Sequence, residues 1–123
     1  FIERYLNSHL FRGSFKTTTL NEEIQEQYDL VISNYAFSEL PKILQLKYIE
    51  KVLSKANRGY LTMNTGIVNY NNSSNHLTID EMKKLLPEFK LLEEEPLSSK
   101  ENYVVVWGFK NIDLSDFFKV KDI

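Results

Sequence analysis

Two strand-like runs, Tyr28-Asp29-Leu30-Val31-Ile32 and Tyr60-Leu61-Thr62-Met63, flank a long amphipathic helix pattern from Pro41 to Ala56. This order constrains the fold more than any other feature. Strand, helix and strand form a βαβ unit, whose crossover is right-handed and whose strands run parallel. Leu30-Val31-Ile32 puts three bulky residues in a row, two of them β-branched, which predicts a strand buried on both faces. The expected class is α/β. Ser33-Asn34 and Asn64-Thr65 then end adjacent strands on one edge of the sheet, and ligands bind at that edge in such folds.

The helix pattern presents Ile43, Leu44, Leu46, Tyr48, Ile49, Val52 and Leu53 as its apolar stripe. Ser38 is its expected N-cap, with Pro41 tolerated in the first turn. Asn57-Arg58-Gly59 reads as its exit. Upstream, residues 1–9 predict a helix, with Phe1, Ile2, Tyr5, Leu6 and Leu10 at helical spacing. Gly13 to Thr18 predicts a short strand. Thr19 with Glu22 predicts a capping box opening a short helix over 20–26.

Downstream, residues 66–77 are rich in Asn and Ser and predict a long loop above the ligand edge. Thr78 with Glu81 predicts a second capping box, and Ile79, Met82, Leu85 and Leu86 the inner face of a helix stopped by Pro87. Phe89 to Leu97 and Tyr103 to Gly108 predict two strands joined by a polar turn at 98–102, an antiparallel hairpin. In the tail, Leu114, Phe117 and Phe118 stand at helical spacing and predict a short docked helix or an extension. No internal repeat and no second domain are evident over residues 1–123.

Bulk properties narrow the function classes. The net charge is −2, with 42% apolar and 26% charged residues. No basic excess matches a phosphate backbone, and no apolar run reaches the length of a membrane span. Neither nucleic acid nor membrane is an expected partner. There is no cysteine, which removes disulfides, thiol catalysis and thiolate metal sites and fits a reducing compartment, so a cytoplasmic location is expected. The chain opens at Phe1, already inside an apolar periodicity, and is expected to begin within a longer protein; processing or a purified fragment would look the same.

The block Tyr28-Asp29-Leu30-Val31-Ile32-Ser33-Asn34-Tyr35-Ala36-Phe37-Ser38-Glu39-Leu40, then Gln45 and Tyr48, Arg58-Gly59-Tyr60 and Asn64, and the ending Val104-Val105-Val106-Trp107-Gly108 resemble the putative sugar O-methyltransferase family. The likeness covers roughly residues 1 to 109 and is strongest over 28–109. It implies the C-terminal portion of a class I, Rossmann-like S-adenosylmethionine-dependent methyltransferase sheet, whose last strand runs antiparallel to the others. It also implies a glycine-rich turn and an acidic strand end ahead of this portion. The four glycines, Gly13, Gly59, Gly66 and Gly108, contain no G-x-G arrangement. The domain is therefore expected to be incomplete, with its first two strands absent.

On this resemblance, Asn34 and Tyr35 are candidate cofactor-binding residues, an amide that both donates and accepts and a ring that stacks. Each has a structural alternative, a turn asparagine and a core tyrosine. Glu39 and His76 are candidate catalytic bases for a sugar hydroxyl. Glu39 is equally a carboxylate favoured at a helix start, and His76 a solvated loop residue. Asn64 and Tyr70 are candidate substrate-binding residues. His9 reads as a helix-end residue. Glu93-Glu94-Glu95 alternate faces in a strand, so they do not converge on one metal ion, and they read as a solvated edge. Gln45, Tyr48 and Arg58 read as packing support, with an anion clamp as the alternative for Arg58, and Trp107 as core.

The expected function is methyl transfer by the parent protein to a hydroxyl of a sugar or other small molecule, the 123-residue chain itself being inactive. The alternative is a non-catalytic, degenerate domain serving self-association or protein interaction. Other enzymes on nucleotide-binding sheets, dehydrogenases among them, stay open as a further alternative but lack the terminal-hairpin match. An apolar strand at an open sheet edge also predicts a homo-oligomer.

Overall fold

The computed structural model describes residues 16–64, 75–110 and 112–121. The expected first helix, His9, the first half of the expected strand from Gly13 to Thr18, most of the expected loop over 66–77 and Tyr70 lie outside them. The described half of that strand, residues 16–18, is irregular. The elements are β1 (Tyr28–Asn34), α1 (Ala36–Glu39), α2 (Lys42–Lys51), a 3-10 turn (Leu53–Lys55), β2 (Ala56–Met63), α3 (Ile79–Leu85), β3 (Lys90–Leu92), β4 (Tyr103–Trp107), a second 3-10 turn (Leu114–Asp116) and β5 (Val120–Lys121). They build one five-stranded sheet in the order β1-β2-β4-β3-β5. β1 and β2 are parallel, as the βαβ reading requires, with Asn34 opposite Thr62 at the carboxyl end. β4 is antiparallel to both of its neighbours, β2 and β3.

Alternation along β4 separates two cores. Tyr103, Val105 and Trp107 join Leu61, Met63, Leu91 and residues of the three helices on one face, while Val104 and Val106 meet Leu92 and Leu114 on the other. The tail covers that second face. Asp113 caps its 3-10 turn through the backbone N–H of Ser115, and Phe118 packs against Tyr60. β5 then adds antiparallel to β3, pairing Leu92 with Val120. Of the three tail residues expected to dock, Phe117 instead points out, 72% exposed.

Several expectations are corrected. β1 is not buried on both faces: Leu30 is 44% and Ile32 59% exposed, because among the described residues β1 is an outer strand with no element over that face. Residues 19–22 form a turn rather than a helix start, closed by the Glu22 N–H to the Thr19 carbonyl at 3.1 Å. Ser38 does not cap α2. It sits inside the separate one-turn helix α1, and the chain is then extended at Leu40 and Pro41 before α2 starts. The ring of Pro41 disfavours helical geometry at Leu40, which explains the break. Asn57-Arg58-Gly59 belongs to β2, where the ladder with β1 overrides the local turn signals. β3 is only three residues long, so the connection to β4 runs from Glu93 to Asn102.

The buried stripe of α2 also differs from the apolar pattern. Ile43 is 71% exposed, whereas Gln45 is completely buried. Its amide donates to the Phe37 carbonyl at 3.1 Å and accepts the Leu77 N–H at 2.8 Å. One side chain thus ties α1 to the segment entering α3, satisfying two backbone groups that burial would otherwise orphan. The capping box of α3 is as expected, with Thr78 and Glu81 each accepting the other's backbone N–H.

Candidate functional site

The candidate site stands at the carboxyl end of β1 and β2, and its geometry starts at Tyr35. This residue has φ 64°, a left-handed conformation that is unfavourable for a bulky side chain. Such geometry costs on the order of 1–3 kcal/mol and persists only where the surroundings over-determine it. They do so here from both ends of the residue. The Tyr35 N–H donates to the Thr62 carbonyl at 2.8 Å, and the Tyr35 phenol donates to Glu94. The turn redirects the chain into α1, whose Phe37 N–H is taken by Ser33 Oγ at 3.2 Å.

That redirection brings Ser38 and Glu39 against Asn64. Ser38 Oγ lies 2.8 Å from the Tyr35 carbonyl and 2.7 Å from Asn64 Oδ1, so its single proton serves two acceptors. Asn64 Nδ2 donates to Glu39 Oε1 at 2.9 Å. The Glu39 carboxylate is therefore exposed but oriented. One oxygen is held by Asn64, which leaves acceptor capacity on the other for an incoming hydroxyl. Asn34 accepts from Thr62 Oγ1 at 3.0 Å through Oδ1. The two asparagines share the edge, as expected, but bond to different partners.

His76 is drawn to the same turn. Its Nδ1 is 2.9 Å from the Leu40 carbonyl. A carbonyl only accepts, so Nδ1 carries the proton in this bond. The edge thus gathers Asn34, Tyr35, Glu39, Asn64 and His76, while Tyr70 lies outside the described residues. None of the five lines the cleft of about 400 Å³ between the turn at Asn21–Ile24 and the end of α2.

Glu94 is the residue that the sequence reading missed. Far from solvated, it is 9% exposed and accepts from Tyr35, from the Ser98 N–H at 2.9 Å, from Ser98 Oγ at 2.8 Å and from Asn102 Nδ2 at 3.0 Å. Its neighbours diverge from it. Glu93 reaches toward Lys119 at 3.7 Å, and Glu95 is exposed. Among the described residues no three His, Asp or Glu side chains converge to hold a metal. The available signal was the Glu94–Ser98–Asn102 spacing, a carboxylate followed by short polar donors.

The phenol of Tyr35 first, then the Ser98 N–H and the remaining donors, hold the Glu94 carboxyl well below its ordinary 4.5, at about 2, against the opposing effect of burial. Its folded value is the lower one. Its contribution to stability is therefore complete above about pH 4.5 and lost as pH falls toward 2. Thermal melts followed by circular dichroism are expected to show a falling midpoint across that window. In Glu94→Gln this part of the pH slope should vanish and the midpoint at pH 7 should be lower. An unchanged slope would show that the carboxylate is not held as described.

No family model, no curated protein and no solved structure matches the chain. Among the described residues no helix is long and apolar enough to cross a membrane.

Proposed function

We propose that the chain is the C-terminal part of an S-adenosylmethionine-dependent O-methyltransferase acting on a hydroxyl of a sugar or another small molecule. The observation that carries this reading is the end of the sheet. A parallel β1–β2 pair is followed by β4, inserted antiparallel between β2 and β3, and the carboxyl ends of the parallel pair gather Asn34, Glu39 and Asn64. The residues present fit one side of a cofactor site, Asn34 through its amide and Tyr35 through its ring. The glycine-rich turn that would grip the methionine moiety has no counterpart in the 123 residues.

S-adenosylmethionine supplies an electrophilic sulfonium methyl group. The work of this chain is to align the acceptor and relieve it of a proton. On this reading Glu39, steadied by Asn64, accepts the hydroxyl proton, with His76 as the second candidate base. Asn64 positions the carboxylate and offers polar contact to a sugar. Calorimetry of the full-length protein with S-adenosylmethionine tests the reading: measurable heat and a raised melting temperature are expected, and the absence of both would refute it.

A second reading, a non-catalytic domain that self-associates, is favoured by the outer edge of β1. An apolar groove of about 220 Å³ runs beside it, lined by Val31, Ile32, Phe37, Leu40, Tyr48 and Val52 among others. Among the described residues no strand pairs with this edge, and such edges recruit a further strand. For the isolated 123-residue chain, light scattering at micromolar concentration is expected to give the mass of at least two copies. The mass of a single chain would count against pairing through this edge.

A further inference from the structure

We infer that Glu94 is a positioning residue for the ligand edge, acting through the Tyr35 phenol on the turn that sets Ser38 and Glu39 against Asn64. The route is continuous in hydrogen bonds. Glu94 accepts from Tyr35. The Tyr35 backbone, held left-handed at φ 64°, presents its carbonyl to Ser38 Oγ at 2.8 Å. Ser38 lies 2.7 Å from Asn64 Oδ1, and Asn64 Nδ2 donates to Glu39 Oε1 at 2.9 Å.

Two features make Glu94 a positioning group rather than a ligand. Its carboxylate already accepts from four donors, which is about the full capacity of two carboxylate oxygens. It is also buried, whereas Glu39 at the other end of the route is exposed. The residue that meets a ligand and the residue that sets its geometry are thus on different elements. Glu39 closes α1, and Glu94 stands in the connection between β3 and β4. A left-handed tyrosine between them supplies the coupling, because relaxing it would turn α1 away from Asn64. The inference concerns the geometry of the edge and holds whichever ligand that edge takes.

The test uses two variants that separate positioning from loop stability. Tyr35→Phe removes the phenol but leaves Ser98 and Asn102 bonded to Glu94. Ser98→Ala loosens the connection and removes the long 3.5 Å contact of Ser98 Oγ with the Tyr35 phenol, but leaves the Tyr35–Glu94 bond. Nuclear magnetic resonance of the 15N-labelled chain reads the side-chain amide of Asn64. In Tyr35→Phe its two proton signals are expected to shift toward the positions of a solvated amide. In Ser98→Ala they are expected to stay where they are in the parent. A folded Tyr35→Phe protein with an unmoved Asn64 amide would overturn the inference, as would equal shifts in both variants. If Tyr35→Phe does not fold, the same amide is read in Glu94→Gln: a shift supports the route, and an unmoved signal overturns it.

Discussion

Gly59→Ala is expected to destabilise the chain severely. An added Cβ would stand 1.9 Å from Cη2 and 2.1 Å from Cζ2 of Trp107, whose indole lies over the glycine. The ring is a poor candidate to move. Trp107 is 2% exposed, its strand pairs directly with β2 at Gly59, and its neighbours are core residues of the helix-covered face. Overpacking of this kind costs about 1–3 kcal/mol and sometimes more. The closeness of the clash puts Gly59→Ala at the upper end, a large share of the ~5–15 kcal/mol that holds a domain together. The midpoint of urea denaturation reads the loss. Adding Trp107→Leu should lessen the further penalty of Gly59→Ala, because the branched side chain vacates the space over β2. If the midpoint of the single variant matched the parent, the indole would have an alternative place in the core and the packing account would be wrong.

The other large effect is expected at Glu39, in the full-length protein that the methyltransferase reading calls for. Positioned general bases contribute roughly 10²–10⁴-fold to a rate. Glu39→Gln keeps the size of the side chain but removes its basicity, so the rate of methyl transfer should fall within that range while cofactor affinity stays the same. Asn64→Ala should cause a smaller fall, because the carboxylate remains but loses the donor on Oε1. His76→Gln provides the comparison. A wild-type rate in Glu39→Gln beside a collapsed rate in His76→Gln would reassign the base to the histidine.

These two expectations differ in how far the sequence alone reaches them. The position of Glu39 was legible because it closely follows a predicted strand end, and the parallel pair brings that end beside Asn64, whose amide is 2.9 Å from the Glu39 carboxylate. Its role as a base rests on the family resemblance. Gly59 was visible too, but as a helix exit. Its actual constraint is a ring arriving from Trp107, forty-eight positions later. Gln45 reads as packing support from sequence, but a glutamine in an amphipathic helix gives no hint of what it would bond to. Its burial follows from two backbone groups, at Phe37 and Leu77, that only the packed structure places beside it. Glu94 was hidden inside a run of three glutamates. Identical neighbours in sequence give no hint that one turns inward to four donors while another reaches toward Lys119.

By itself the sequence determined the α/β class, the parallel pairing of β1 with β2, the capped helix α3, the antiparallel β3–β4 hairpin and the edge at which the polar residues meet. All of these rest on periodicity and on local capping or turn chemistry, which are written in consecutive residues. Only the tertiary structure decided that Ser38 lies inside a separate turn of helix, that Glu94 is buried and saturated, that β1 exposes Leu30 and Ile32, and that the tail adds a fifth strand. Each of those depends on which distant groups compete for the same donors, space or sheet edge, and that competition arises only once the chain has closed on itself.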